Sequence, residues 1–393
     1  MSCTRALKRA FPLALAIIAV CATWRIAPAA AEEIDPKFAN ARDFRLKLFE
    51  PTVPGFVTLG LSPRRTADPG AFSDLSLDAA NLSDEGRSKF GLAFSGQPYW
   101  WGHAGTTLGS YQQHTSAFER ILARGQLSLA AAYVDFSSGY YQFGLGWQTQ
   151  LLDRQDHRFD PHSNDCISKA WDELRRPAHQ AADDAVLKAI ADNPDLSEDQ
   201  LEAIRDNVLK EMPATGFEAA RKSCRSLAAQ DALAKASVIV GAGVNARTDD
   251  TGFGGTQYDG TAVWATYRQP VTSNGFVALQ FFARGKFDGT LGVPKTPKLP
   301  AFVDGNEYVG GAGIALERIW WKADVSVSAV EQEFRHAVAK TDDFAEATLH
   351  GAIKVRDGLW LQGSVGDSFG REFGDKVSFG FNVSVDWDDL KLW

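Results

Sequence analysis

Cysteine is scarce in this chain, and hydrophobic runs long enough for a membrane-spanning helix are missing. The 393 residues include four cysteines, and no segment after the N-terminus offers the ~18 consecutive apolar residues of a transmembrane helix. The glycine motifs that bind nucleotide phosphates are also missing from the sequence. If the chain spans a membrane, it must do so as a closed β-sheet, because lipid cannot hydrogen-bond to open sheet edges.

Lysine and arginine are outnumbered by acidic residues, 41 against 49, which gives a formal charge of −8. The first residues combine three basic side chains with a short apolar run (11–22) and an alanine-rich segment (27–31). This order predicts a secretory signal peptide over residues 1–31, with cleavage after Ala31. Retention of Cys21 as a lipoprotein anchor is the alternative.

Loss of the signal peptide changes both the charge and the set of cysteines. Residues 1–31 contain four basic side chains and no acidic one, so the charge becomes −8 − 4 = −12 in the mature chain. A strongly acidic chain argues against a nucleic-acid partner. Cys166 and Cys224 remain, and such a pair in an exported protein predicts one disulfide.

Most of the mature chain alternates between apolar and polar residues with the period of a β-strand. From Trp321 to Ala329 every odd position is apolar, whereas the even positions carry Lys322, Asp324 and two serines. Successive side chains of a strand point to opposite faces, so such a strand has one apolar and one polar face. Similar patterns predict strands at 56–61, 90–96, 120–133, 141–151, 238–245, 262–268, 277–287, 308–317, 320–329, 345–355, 359–369 and 379–387, with 44–49 and 100–112 as further candidates.

Three features favour a membrane barrel over a soluble β-domain, which is the alternative. Aromatic residues gather at strand ends, as in the interfacial girdles of barrels, and the polar faces are rich in Gly, Ser and Gln. Short turns also alternate with longer loops from residue 262 onward. The sequence therefore predicts an all-β transmembrane antiparallel β-barrel of about 12 strands, with about 14 still open, and an inserted α-helical subdomain.

The last predicted strand carries a second signal. Its apolar positions are Phe379, Phe381, Val383, Val385 and Trp387, and the chain ends in Trp393. In this pattern the chain resembles Gram-negative outer-membrane β-barrel proteins as a class, over residues 55–393. The resemblance implies an outer-membrane location, outer-membrane lipid around the barrel, and recognition of this strand by the barrel-assembly machinery. Asp389 and Lys391 occupy apolar positions of this pattern. Either the assembly signal ends at Trp387, or the signal is degenerate.

Residues 161–236 break the strand pattern and predict helices. A helical run extends from Pro177 to Asp192, a capping box opens a second helix from Leu201 to Met212, and a third covers 217–235. The predicted organisation is a signal peptide, an N-terminal segment, the first part of the barrel, the insert and the second part of the barrel, at 1–31, 32–54, 55–160, 161–236 and 237–393. Strand parity counted back from Trp387 puts the insert at the periplasmic rim, either hanging into the periplasm or plugging the lumen.

Charged and polar residues on the polar faces are candidates for lining the lumen. Pairing of the strands around 320–331 and 344–355 predicts Asp324 opposite His350, with Ser328 opposite Glu346, and the next turn sets Lys354 opposite Trp360. These side chains form either a selective pore or a salt-bridged filling without conductance. The full set of candidates is Arg120, Arg124, Arg284, Lys286, Lys322, Asp324, Glu346, His350 and Lys354.

The pattern predicts a porin-like channel or export pore for small polar or anionic solutes or an exopolysaccharide. The alternative is a non-conducting structural or assembly protein whose insert docks a periplasmic protein partner. No catalytic residue, metal site or cofactor is predicted. Gly366 to Gly370 matches a G-x-S-x-G nucleophile motif, but it follows a strand without the strand–turn–helix setting that this motif requires.

Overall fold

A computed structural model gives the architecture of most of the chain. The described residues are 53–60, 75–84, 87–103, 106–135, 140–152, 158, 161–194, 196–210, 224, 232–248, 255–292, 302–335, 341–356, 358–371 and 376–386. The predicted signal peptide, the N-terminal segment up to residue 52 and the candidate strand 44–49 lie outside these residues.

Twelve strands of the described residues form one closed antiparallel barrel. Each strand pairs with its neighbours in sequence, and the first strand pairs with the last from Ser76–Asp386 to Asp84–Ser378, which closes the sheet. The strands are β1 (Leu75–Asp84), β2 (Arg87–Gly96), β3 (Gln126–Asp135), β4 (Tyr140–Gln150), β5 (Ser237–Thr248), β6 (Gln257–Pro270), β7 (Val277–Gly292), β8 (Phe302–Arg318), β9 (Trp321–Phe334), β10 (Thr341–Arg356), β11 (Leu359–Phe369) and β12 (Lys376–Asp386).

The two faces of this sheet have opposite chemistry. Large apolar side chains are exposed on the outer face, among them Leu129 (58%), Val327 (57%) and Phe379 (58%). Their neighbours in sequence point inward and are buried polar residues, such as Ser128 and Ser328. A soluble sandwich would bury the apolar face and expose the polar one, so this barrel has the reverse arrangement.

Six helices accompany the barrel in the described part of the chain. They are α1 (Pro54–Leu59), α2 (Pro98–Gly102), α3 (Leu108–His114), α4 (Ala117–Ala123), α5 (Pro161–Asp192) and α6 (Glu198–Lys210). None of these helices is long and apolar enough to cross a membrane.

The prediction of a strand at 56–61 is wrong, because this segment forms α1. Pro54 occupies the first turn, where its missing N–H is harmless, and Gly60 ends the helix with a left-handed φ of 68°. The backbone N–H of Gly60 donates to the carbonyls of Phe56 and Val57, which satisfies the last turn. Strand β1 is not among the predicted strands, so the predicted and observed numbers agree although one predicted strand is a helix and one observed strand is not predicted.

The strand predicted from Arg120 to Tyr133 begins too early. Ser116 accepts a hydrogen bond from the backbone N–H of Glu119, and the Glu119 carboxylate accepts one from the N–H of Ser116. This capping box starts α4, so Arg120 lies in a helix and Arg124 caps it; the predicted placement of both on a lumenal strand face is wrong. The candidate strand 100–112 is likewise largely helical, in α2 and α3.

We call the rim where β1 begins and β12 ends the terminal rim. Antiparallel order places the connections 97–125, 151–236, 271–276, 319–320 and 357–358 there, and the other connections at the opposite rim. The helical insert therefore shares a rim with the end of β12, as strand parity predicts.

The insert contains α5 and α6, which pack against each other, with an exposed ion pair between Arg205 and Asp183 at 2.7 Å. Helix α5 starts at Pro161 and continues through Pro177, so the start predicted at Pro177 is wrong. The predicted disulfide between Cys166 and Cys224 is present. Most of the predicted third helix, 217–235, lies outside the described residues.

Candidate functional site: the lumen of the barrel

A buried ion-pair cluster lies inside the barrel next to the terminal rim. The carboxylate of Glu317 on β8 accepts hydrogen bonds from the guanidinium of Arg268 on β6, with N–O distances of 2.7 and 2.5 Å. The Lys322 ammonium on β9 lies 3.0 Å from the other carboxylate oxygen. All three side chains are buried, so one carboxylate holds two cations away from bulk water. Arg268 also donates to the backbone carbonyls of Lys235 and Gly275, which ties the cluster to the rim.

A second cluster centres on Asp259 of β6, toward the opposite rim. One carboxylate oxygen accepts from the backbone N–H and the hydroxyl of Thr290, at 2.8 and 2.6 Å, and the other accepts from the Gln142 amide at 2.7 Å. Lys286 donates to the carbonyl of Thr290 at 3.0 Å. These contacts connect β4, β6 and β7, which are close neighbours in the sheet, along the lumenal face of the wall.

A third network runs along the strands β7 to β10. Arg284 lies 3.7 Å from the carboxylate of Glu307, which also accepts a hydrogen bond of 2.8 Å from Gln332. Arg371 donates to Asp342 at 3.2 Å and approaches Gln332 at 3.5 Å. The interior therefore carries both signs of charge in close pairs.

The predicted register of β9, β10 and β11 is confirmed. Asp324 pairs with His350, Ser328 with Glu346, and Lys354 with Trp360. The Nδ1 atom of His350 lies 3.1 Å from a carboxylate oxygen of Asp324, and both side chains are buried.

Helix α1 lies inside the barrel, against the lumenal faces of β2 to β6. The amide of Asn245 donates to the carbonyl of Thr58 at 2.8 Å, and every residue from Val53 to Leu59 is buried. Glycines on the wall make room for the helix: a Cβ on Gly146 would lie 2.5 Å from the carbonyl carbon of Pro54, closer than real contacts allow. The helix thus occupies part of the cross-section of the lumen.

The structure brings most of the predicted lumenal residues together inside the barrel. Arg284, Lys286, Lys322, Asp324, Glu346 and His350 are buried on strands, and Lys354 is half-buried near the terminal rim. Arg120 and Arg124 belong instead to the helical connection between β2 and β3.

The sequence predictions do not include helix α1 or the lumenal residues Arg268, Glu317, Asp259 and Arg371. Arg268 and Glu317 lie in predicted strands, at positions whose neighbours alternate with the correct phase. Their burial follows from that phase, so the signal was present in the sequence. Asp259 was harder to find, because Gly260 has a φ of 100° and the pairing of β5 with β6 is irregular beside it.

Two other sequence motifs can be placed. Phe379 and Phe381 are exposed on the outer face of β12, with Val383 and Val385 half-buried, whereas Trp387 and Trp393 lie outside the described residues. Ser368 is buried at the end of β11 and pairs across the sheet with Glu346. In the described ranges no group of three His, Cys, Asp or Glu side chains forms a candidate metal site.

Comparisons with known proteins give structural neighbours only. No protein-family model matches the chain, and no curated protein matches it in sequence. The COG4313 outer membrane channel from Pseudomonas putida F1 shares 8% identity at a TM-score of 0.39, over 81% of this chain and 99% of that chain. The KdgM porin shares 8% identity at 0.34, over 79% and 99%.

A third neighbour is described as a bacterial polysaccharide outer membrane secretin, with 9% identity and a TM-score of 0.30, over 81% of this chain and 99% of that chain. The names of these three neighbours describe a porin, an outer membrane channel and an outer membrane secretin. These identities and TM-scores are too low to transfer a solute or a partner.

Proposed function

We propose that this protein is an outer-membrane β-barrel that provides a gated passage for small polar solutes. The observation that carries the proposal is the reversed polarity of the closed sheet. Its outer face exposes leucine, valine and phenylalanine, and its interior holds arginine, lysine, aspartate and glutamate. A hydrocarbon environment outside and a polar path inside account for both faces at once.

The proposed orientation has the terminal rim in the periplasm. Bacterial barrels have short periplasmic turns and longer external loops. From β6 onward, the connections at the terminal rim are 271–276, 319–320 and 357–358, whereas those at the opposite rim include 293–301 and 335–340. In this orientation the helical insert is also on the periplasmic side.

Helix α1 is the proposed gate. It contacts five neighbouring strands in the lumen. Among the described residues, however, one hydrogen bond joins it to the wall, and this bond from the Asn245 amide is between neutral groups. Displacement of a short helix that makes no ion pairs requires less free energy than movement of the ion-paired residues on the wall behind it. Passage would therefore begin with movement of α1.

The charges on the lumenal wall narrow the solutes that we propose. The predicted cations Arg284 and Lys322 each lie beside a carboxylate, Glu307 and Glu317 respectively. Because such pairs largely cancel each other's fields, the wall offers polar groups of both kinds to a solute. We therefore propose small polar solutes as the cargo, without a preference for anions.

Conductance of single barrels in planar bilayers tests this proposal. Gly146→Ala places a Cβ into the backbone of α1, and Gly351→Ala is the matched control, because its Cβ would have no neighbour closer than 3.9 Å. We expect rare openings in the wild type and in Gly351→Ala, and frequent openings in Gly146→Ala. Closure of all three proteins, and of a variant lacking residues 53–60, would contradict a gated passage.

A second function is favoured by the filling of the lumen. Helix α1 and the ion-paired side chains fill part of the interior, as in a small barrel that is plugged by its own side chains. In that case the insert with α5 and α6 would dock a periplasmic protein. Affinity capture with the full chain, compared with a chain whose residues 161–236 are replaced by a short linker, would test this. Identical captured proteins would count against docking by the insert.

A further inference from the structure

The connection between β2 and β3 forms a small folded unit at the terminal rim, which we call the collar (residues 98–103 and 106–123, with α2, α3 and α4). Its core consists of Trp100, Tyr111 and Ala123, all fully buried. The indole N–H of Trp100 donates to the carbonyl of Ala123 at 2.9 Å. The guanidinium of Arg158 lies 4.8 Å from the Trp100 ring centre and 4.7 Å from that of Tyr111, so the collar is also tied to the start of the insert.

Helix α4 of the collar lies against the outer side of the barrel wall. The hydroxyl of Thr149 donates to the carbonyl of Ile121 in α4 at 2.6 Å. Side chains on β4 alternate, and the amide of Gln148, next to Thr149, points inward to Gln126 at 3.1 Å. Thr149 therefore points outward, and α4 covers the outer face of β4 where that strand reaches the rim.

The collar exposes a group of large apolar side chains although it has its own core. Phe118 is 68% exposed and Leu122 is 37% exposed; these residues are four positions apart and share one face of α4. Trp101 of α2 is 52% exposed. Glu119 and Arg120 occupy other positions around α4, so this helix is amphipathic with its apolar face turned away from the protein.

This apolar face lies at the rim end of the strands that carry the outer belt of the barrel. The strand β3 starts three residues after the collar and carries Leu129 on its outer face. On another part of the same rim, Trp320 is also largely exposed in the turn between β8 and β9. Aromatic residues at one rim of a barrel occupy the interface between lipid headgroups and acyl chains.

We propose that the collar is a membrane-interface element that inserts Phe118, Leu122 and Trp101 into the phospholipid leaflet surrounding the terminal rim. This inference rests on the proposed function, because it requires the belt to face hydrocarbon. A short amphipathic helix gains affinity for lipid by burying its apolar face at the headgroup boundary, and anchorage to β4 holds α4 at that depth. The occupant of the surface is therefore lipid and not a second protein.

Depth-dependent fluorescence quenching tests the collar in the full mature chain. Single cysteines at Phe118, Leu122, Val327 and Glu202 would carry an environment-sensitive fluorophore, with the native disulfide kept oxidised. Each variant is reconstituted into phosphatidylethanolamine–phosphatidylglycerol vesicles containing nitroxide lipids labelled near the headgroup or deep in the acyl chain. Val327 reports the belt, and Glu202, exposed on α6, is the aqueous control. An unchanged gel shift of unboiled samples would confirm folding.

We expect the shallow nitroxide to quench Phe118→Cys and Leu122→Cys at least ~3-fold more strongly than Glu202→Cys, and the deep nitroxide to quench Val327→Cys. The collar proposal alone would be overturned if lipid nitroxides quench the label at Val327 but quench the labels at Phe118 and Leu122 no more than the label at Glu202. Labels at Phe118 shielded from both aqueous iodide and lipid would show a protein contact, which also overturns it. Absence of quenching at Val327 would overturn the proposed function itself.

Discussion

Removal of the charge on Glu317 should destabilise the barrel more than any exposed substitution. This carboxylate holds Arg268 and Lys322 in the interior, and all three side chains are almost fully buried. Glu317→Gln keeps the shape of the side chain, but it replaces one acceptor oxygen by an NH2 donor and leaves two buried cations without their counter-ion. Substitution of one partner in a buried ion pair typically costs about 3–5 kcal/mol of unfolding free energy.

The geometry supports a value in the upper part of this range. Oxygen–nitrogen distances of 2.5 Å to Arg268 and 3.0 Å to Lys322 correspond to attractions of roughly 6 kcal/mol each at an effective dielectric constant of 20. Desolvation offsets much of that attraction in the wild type, but the substitution leaves the cations desolvated and removes only the favourable part. The double variant Glu317→Gln, Lys322→Met should recover part of the loss, because it removes one of the two uncompensated charges.

Urea unfolding in detergent micelles, followed by tryptophan fluorescence, measures this effect. Glu202→Gln on the exposed surface of α6 is the matched control and should change the unfolding free energy by less than about 0.5 kcal/mol. A change of that small size for Glu317→Gln would refute the account of the cluster as a buried, mutually dependent set of charges.

Three further predictions concern the insert, the collar and the belt. Reduction of the Cys166–Cys224 bridge, which encloses a separation of 58 residues, should destabilise the insert by about 4 kcal/mol and accelerate its cleavage by thermolysin while the strands stay resistant. A hydrogen bond from the backbone N–H of the α4 N-cap, Ser116, holds the pKa of Glu119 below its ordinary value. The Glu119 carboxylate therefore stabilises α4 at neutral pH, and this stabilisation is lost as the pH falls through the lowered pKa. Glu119→Gln should abolish this pH dependence in the amide exchange of α4. Val327→Lys on the outer face should cost about 2–4 kcal/mol in lipid vesicles, whereas Val271→Lys in a rim turn should cost much less; equal costs would contradict a hydrocarbon-facing belt.

The pairing of β9 with β10 could be predicted because two constraints act together there. The alternation fixes which residues face inward, and the connection between the two strands leaves one register compatible with that phase. Asp324 and His350 were therefore placed opposite each other from the sequence alone.

Helices α1 and α4 cannot be predicted from the alternation of apolar and polar residues, for different reasons. A short apolar run such as Phe56 to Leu61 fits a buried strand and a buried helix equally well, and only its position inside the barrel decides between them. For α4 the residues Ile121 and Ala123 happen to continue the alternation of β3 backwards. The capping box of Ser116 and Glu119 was the local signal that separates helix from strand.

Strand β1 was missed because its residues alternate weakly. The segment Leu75 to Asp84 contains adjacent small residues at Ala79 and Ala80 and an asparagine where a bulky residue would be expected. Its strand conformation follows from pairing with β2 and β12, a requirement of closure that no local pattern encodes.

Reconstitution of the mature chain into phospholipid vesicles tests most directly whether the apolar outer face contacts lipid. We expect the protein to stay with the vesicles after alkaline extraction, and unboiled samples to migrate differently from boiled ones on a gel. A chain that remains monomeric and folded in buffer without detergent, leaves the vesicles on extraction and shows no heat-dependent shift would contradict the barrel as a membrane-spanning structure.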